Sequence, residues 1–267
     1  MKKLLEGIHV IEGIGAALIF VLGPQDGFTL IDTGIFKRTH LLIAQLEEHN
    51  YAITNLRNII LTHCHCDHIG GVTELVKYSG AKVAAHESDI PYILQEQVVP
   101  GPYQRMMLQE QKVMKQFSCN VQRVDIALRD GDIIDVLGGL HVIQVPGHTP
   151  GSIALYQPDR QIMFWGDVIR NHPRQGLRVG IPEEYNVNTQ QTRADANKLL
   201  AYAIECALFS HGAPILGNAS QIIRAAVNYP LPVQQHPIST KQERNHDQAT
   251  SSRNRPRHTG SIQRHRL

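Results

Sequence analysis

Cysteine is scarce in this chain: four in 267 residues, at Cys64, Cys66, Cys119 and Cys206. Four do not build a disulfide scaffold at this length, and Cys64 and Cys66 stand too close for an unstrained bridge. Long apolar runs are missing too; none approaches the ~18 residues of a membrane-spanning helix. The opening MKKLLEGIHVIEGIG carries two lysines, but Glu6 and Glu12 interrupt its apolar residues and no small-residue cleavage site stands out. These absences lead us to expect a reducing, cytoplasmic location and no membrane partner. Net charge is also small, +2 with histidine neutral. Residues 241–267 hold seven Lys or Arg against two acids, leaving 19 bases against 22 acids in residues 1–240. The body is therefore mildly acidic, which argues against a nucleic-acid partner.

What is present is ordinary globular material, 42% hydrophobic and 19% charged. IHVI, AALIFVLG and FTLIDTG read as strands separated by Gly, Pro and Asp punctuation. Leu41, Leu42, Ile43 and Leu46 at helical spacing predict a helix over residues 37–50. LRNIILTH is a further strand, continuous enough to be buried on both faces. Later, DGDIIDVLGGLHVIQVPGHT, SIALYQPDRQIMFWGD and CALFSHGAP repeat the strand pattern, with helical spacing at residues 189–203 and 221–227. Residues 87–117 read as a helical insertion broken by Pro100, Gly101 and Pro102, in which Tyr103, Met106, Met107 and Leu108 would form a lid or a packed helix. Two strand-rich halves with helices outside imply an α+β fold, a sandwich of two mixed sheets. We place the folded domain at residues 1–232. Residues 233–267 are polar and basic, a composition that predicts a disordered tail with His246, His258 and His265 solvated.

The unusual stretch is THCHCDHIGG, with three histidines and an aspartate in six residues directly after a strand. Imidazole and carboxylate are donors that zinc, iron and manganese accept. In extended chain His63 and His65 point the same way and can reach one ion, while Cys64 and Cys66 face elsewhere and are expected to pack as small hydrophobes. A turn into helix would swing Asp67 and His68 toward a second ion. Four residues cannot complete two sites, so further donors are expected at later strand ends. His148 in VPGHTPGS, Asp167 in MFWGDV and His211 in LFSHGAP stand there.

The H-x-H-x-D-H segment with its following Gly-Gly, the P-G-H-T-x-G segment, the G-D after a strand and S-H-G-x-P together resemble the metallo-β-lactamase superfamily, over about residues 7–228. The resemblance implies an αβ/βα sandwich with a metal centre at one edge. It implies His63, His65 and His148 on a first divalent ion, Asp67, His68 and His211 on a second, and Asp167 between them; Asp32 in LIDTG would support the site. Zinc is the expected metal, with iron or manganese as alternatives. The implied chemistry is hydrolysis by a bridging hydroxide of lowered pKa, with Asp67 orienting it and relaying a proton to the leaving group.

The substrate is less legible. Asp167 stands where many β-lactamases of this fold carry a cysteine or lack the acid. Acyl-homoserine lactonases usually place a tyrosine where Arg170 stands, and GDVIRNHPRQGLR lacks the Gly-Cys-Gly-Arg of glyoxalase II-like thioesterases. The resemblance is thus to the glyoxalase II-like and lactonase-like hydrolases without the mark of one member. An ester, lactone or thioester of a small molecule is the expected substrate. Arg170, His172, Arg174, Arg178 and Tyr185 either rim the pocket, favouring an anionic acyl substrate, or lie in a solvated loop. A mononuclear iron persulfide dioxygenase, a phosphodiesterase and a non-catalytic binding protein of the same fold are the competing readings.

Overall fold

The structure is a computed structural model that describes residues 1–102, 104–180, 182, 185–227 and 263–265. The first half is a run of short apolar strands interleaved with helices: β1 (Lys2–Leu5), β2 (Ile8–Ile11), β3 (Ile19–Leu22), β4 (Phe28–Ile31), α1 (Thr39–Glu48), β5 (Leu56–Ile60), α2 (Cys66–Ile69), α3 (Val72–Ser79), β6 (Lys82–His86), α4 (Ile90–Ile93), α5 (Gln104–Gln116) and β7 (Ile126–Leu128). The second half adds β8 (Ile133–Ile134), β9 (Leu140–Gln144), β10 (Ile153–Gln157), β11 (Ile162–Phe164), β12 (Ile169–His172), β13 (Gly176–Val179), α6 (Thr189–Leu200), β14 (Cys206–Leu208), β15 (Ile215–Leu216), α7 (Ala219–Val227) and β16 (Arg264–His265).

Strands β1 to β7 form one seven-stranded sheet in sequence order, antiparallel through β4 and parallel from β4 to β7. The second sheet runs β15-β14-β11-β10-β9-β8-β16, and β12 and β13 form a separate hairpin. Side-chain alternation sorts residues into layers, because successive side chains of a strand face opposite sides. Along β3, Ile19 and Val21 join the core under α1 and α3, whereas Phe20 and Leu22 join the core between the sheets. Along β10, Ile153 and Leu155 face the intersheet core, and Ala154 and Tyr156 face the core beneath α6 and α7. Three stacked cores make the expected αβ/βα sandwich. Between its sheets, Phe20 and Phe164 meet edge to face at 5.3 Å.

Two expectations change. Residues 169–179 are not an open loop but the β12–β13 hairpin, pinned because Ile169 and Leu177 are buried in the core under α6 and α7. Of the expected tail, residues 263–265 are described, and there β16 pairs in parallel with β8. His265 is not solvated as expected; its Nε2 lies 2.7 Å from the Oδ2 of buried Asp132. An edge strand with unpaired backbone groups is a template for such pairing even when the added segment is polar. The remainder of that segment, with His246 and His258, lies outside the described residues. Among the described residues no helix is long and apolar enough to cross a membrane.

Candidate metal centre

Every sequence-predicted donor lies just past the carboxyl end of a strand or on the short helix that follows one. The chain leaves β5 into His63 and His65, then turns into α2, which carries Asp67 and His68. The glycine pair that follows permits this turn to sit close against the loop after β4: a Cβ at Gly70 would stand 2.5 Å from the Phe36 nitrogen. His148 follows β9, Asp167 follows β11 and His211 follows β14. His63, His65, His68, His148 and Asp167 are buried, while Asp67 and His211 are partly exposed.

The seven side chains fall into three overlapping donor groups: His63 with His65 and His148, His63 with His68 and Asp167, and Asp67 with His68 and His211. Within each, the ligand-capable atoms lie within 4.8 Å of one another. The carboxylate of Asp167 connects them. Its Oδ2 is 3.5 Å from His148 Nε2, 3.8 Å from His63 Nε2 and 3.3 Å from His211 Nε2, and its Oδ1 is 3.7 Å from His68 Nε2. Asp67 Oδ2 lies 3.7 Å from both His68 Nε2 and His211 Nε2.

The outward nitrogens explain why the inward ones suit a cation. His68 Nδ1 lies 2.8 Å from Asp32 Oδ2, His148 Nδ1 3.2 Å from Asn186 Oδ1, and His211 Nδ1 3.1 Å from the Ala16 carbonyl. Thr62 donates its hydroxyl to Asp32 and accepts from His63 Nδ1. Each of these four rings is therefore held with a proton outside, so that in its neutral form the Nε2 lone pair points inward. His63 Nε2 and His148 Nε2 face each other at 3.1 Å. Two nitrogens held ~2.0–2.1 Å from one tetrahedral ion stand roughly 3.3 Å apart, so the pair is set for metal rather than for mutual hydrogen bonding. His68 Nε2 and Asp167 Oδ1 are buried without a hydrogen-bond partner, atoms that a cation would satisfy. The donor set fits divalent metal.

Titration follows the same geometry. Burial, reinforced by neighbouring imidazoles, holds His63 and His65 well below the ordinary histidine range, and burial lowers His148. Neutral rings with available lone pairs are what metal binding requires. Burial also pushes His68 down, but Asp67, Asp32 and Asp167 outweigh it and lift the metal-free ring to about 10. Burial tends to raise Asp167, yet His211, His68 and His63 hold its carboxyl well below the usual range.

Sequence reasoning missed Asp89. It precedes a proline-started helix, where an acid looks like a simple N-cap. Its buried carboxylate instead accepts from the Cys64 backbone N–H at 2.9 Å, the Thr149 hydroxyl at 2.7 Å and the Gly151 N–H at 2.6 Å. Asp89 thereby ties the loop of His63 and His65 to the loop of His148. Burial outweighs these bonds and raises its pKa to about 6. The two neighbouring cysteines differ: Cys64 is buried in the core, and Cys66 is partly buried beside the cavity. Burial raises both thiols, which keeps them protonated.

A cavity of about 640 Å³ opens over the centre, bordered by Asp67, Asp167, His211, Met106, Arg170 and Tyr185. His172 lines it as well, whereas Arg174 and Arg178 are exposed. In α5, Met106 reaches the cavity, Met107 is buried and Leu108 is exposed, so one of the three serves as wall. Tyr103 lies outside the described residues. The β12–β13 hairpin is fastened to the His211 loop: Asn171 donates its N–H to the His211 carbonyl at 2.9 Å and its Nδ2 to the Ala213 carbonyl at 2.9 Å. Gly212, at φ +103°, allows this approach, since a Cβ there would lie 1.8 Å from the Asn171 oxygen.

Comparison with known proteins agrees with this architecture. A probable metallo-hydrolase, YflN of Bacillus subtilis, is 24% identical over 228 residues, covering 80% of this chain and 86% of that protein. The acyl-coenzyme A thioesterase MBLAC2 of Bos taurus is 29% identical, covering 63% of this chain and 65% of its own. A hydroxyacylglutathione hydrolase of Ectopseudomonas mendocina is 30% identical over 57% of this chain, and the match spans about half of that enzyme, 48%. Among solved structures, a metallo-beta-lactamase family protein of Thermus thermophilus superposes with a TM-score of 0.64 at 22% identity, covering 85% of this chain and 81% of that one. BJP-1, a subclass B3 metallo-beta-lactamase of Bradyrhizobium japonicum, does so at 0.62 and 22%, covering 85% and 89%. The profile of the metallo-beta-lactamase superfamily matches residues 13–211, from the loop before β3 to the last candidate donor, and the chain belongs to that superfamily.

Proposed function

We propose that the protein is a hydrolase of a small-molecule ester, lactone or thioester and works with two divalent ions, zinc in the first instance. The observation that carries the reading is the position of Asp167, one carboxylate within 3.8 Å of the inward nitrogens of His63, His68, His148 and His211. His63, His65 and His148 would hold one ion, Asp67, His68 and His211 the other, with Asp167 shared. A single iron would leave Asp67 and His211 without a role, so two ions account for more of the structure. Ions so held supply a water of lowered pKa and polarise a carbonyl.

The rest of the chemistry falls to the chain. Asp67 is the most exposed of the carboxylates at the centre, 27% against 3% for Asp167, and it faces the cavity. In this reading it orients the attacking water and carries a proton to the leaving group. Asp32, Thr62 and Asn186 hold the imidazoles in the tautomers that the ligands need. The thioesterase and hydroxyacylglutathione hydrolase among the relatives support a thioester within the substrate class. The test is metal content by mass spectrometry on the purified protein, with hydrolysis of a matched panel of ester, lactone and thioester. Two equivalents of metal and metal-dependent turnover are expected. One equivalent, or a metal-loaded protein inert to the whole panel, would overturn the reading.

A further inference from the structure

The hairpin that overhangs the cavity has an unusual charge pattern. IRNHPRQGLRV, residues 169–179, contains three arginines and no acid. Arg170 and Arg178 are direct cross-strand partners, an arrangement in which like charges repel. Among the described residues no carboxylate pairs with Arg170, Arg174 or Arg178. The Nε of Arg170 is buried without a hydrogen-bond partner. Arg170 is partly buried and Arg178 exposed, so the pair sits at the cavity rim, where a bound anion would relieve the repulsion.

Register decides where the charge points. Arg170 and His172 are two residues apart on β12 and share a face, and both line the cavity. Asn171, between them, is held on the His211 loop, which fixes the strand against the metal centre. His172 Nδ1 accepts from the backbone N–H groups of Arg174 and Gln175, so the neutral ring carries its proton on Nε2 and offers a second donor. Another part of the lining differs. Cys66, Met106 and Glu110 line it, and the same three residues border a smaller cavity of about 270 Å³ with Phe36, Val113 and Met114. That part suits an apolar chain, and Glu110 there would repel an anion.

We propose that the β12–β13 hairpin is an anion anchor for the leaving group. Arg170, with His172 beside it, binds a carboxylate or phosphate on the leaving-group half of the substrate, while the acyl half lies against Cys66 and Met106. This rests on the hydrolase reading above and adds the substrate's charge and orientation. Arg170 acts by binding, so its loss should appear in KM for charged substrates.

The test uses full-length, metal-loaded protein and three thioesters of one acyl group: on coenzyme A (phosphates), on glutathione (carboxylates) and on the neutral N-acetylcysteamine. Wild type should prefer one charged thioester over the neutral one by about 10- to 100-fold in kcat/KM, the range of one or two charge-assisted hydrogen bonds. R170Q should collapse that ratio toward one through KM, and R170K should recover part of it. The favoured arm distinguishes phosphate from carboxylate. No preference in wild type, or an equal loss on all three thioesters in R170Q, would overturn the anchor. Calorimetric binding of the matching non-hydrolysable thioethers is read alongside. If no thioester turns over, the thioester part of the hydrolase reading fails. The anchor then stands if R170Q weakens the charged thioethers selectively, and falls if it does not or if none of them binds.

Discussion

Replacing Asp89 by alanine should uncouple the two loops of the metal centre and give the stability difference a diagnostic pH dependence. The carboxylate satisfies the backbone N–H groups of Cys64 and Gly151 and the Thr149 hydroxyl. Thr149 keeps Ser152 Oγ at 2.7 Å as an alternative, so two buried N–H groups are left unsatisfied. At about 1–3 kcal/mol each, they cost roughly 2–6 kcal/mol. Against this stands the cost of burying the ionised carboxylate. With a folded pKa of about 6 and an unfolded value near 4, the native state binds more protons between those limits. The stability that Asp89 contributes is therefore complete below pH ~4 and declines as pH rises through ~6, by on the order of 3 kcal/mol. Alanine carries no such penalty. The variant should be less stable than wild type by at most about 3 kcal/mol at pH 7, and the gap should widen on going to pH 5. Urea unfolding of metal-free protein at both pH values reads it directly, because chelation removes the contribution of bound ions. A gap that is constant or narrows toward pH 5 would show that the raised pKa is not what opposes these hydrogen bonds. In the folded protein the same substitution should weaken metal binding by about 10- to 100-fold, the usual effect of losing a group that supports ligands.

Further substitutions address the centre itself. Asp167→Ala should lower metal content and turnover together, and full occupancy with full activity would remove Asp167 from the proposed ligand set. Asp67→Asn at saturating metal should lose about 10²–10⁴-fold in kcat, the range of general acid–base assistance; recovery of wild-type kcat with added metal would leave Asp67 a ligand only. Gly212→Ala places a methyl group against the Asn171 oxygen and should cost about 2–4 kcal/mol, seen as a lower melting temperature. An unchanged melting temperature would show that the hairpin is not seated on the His211 loop.

The sandwich was legible in the sequence because its signals are local. IHVI, FTLI and IALYQ are apolar runs bounded by turn residues, and such runs become strands wherever the chain goes. The seven candidate donors stood out in the sequence because histidine and aspartate at that density, with more of them at three later strand ends, are hard to attribute to chance. Their grouping came only from the family resemblance, and the residues that hold them were mostly hidden. Asp32 was implied only as a support without a named partner, and Asn186 and Asp89 look like isolated polar residues until folding brings Asp32 to His68, Asn186 to His148, and Asp89 to both ligand loops. The hairpin at residues 169–179 was hidden by its polar, arginine-rich composition; burial of Ile169 and Leu177 against distant helices overrides that local preference. The β16 pairing was hidden likewise, since only an open edge on β8, far away in sequence, gives Arg264 and His265 a partner. Periodicity records what a residue does with its neighbours in the chain. Which groups converge, which carboxylate is buried and which arginine is left without a counter-charge depend on contacts between distant segments, and the tertiary structure decided those.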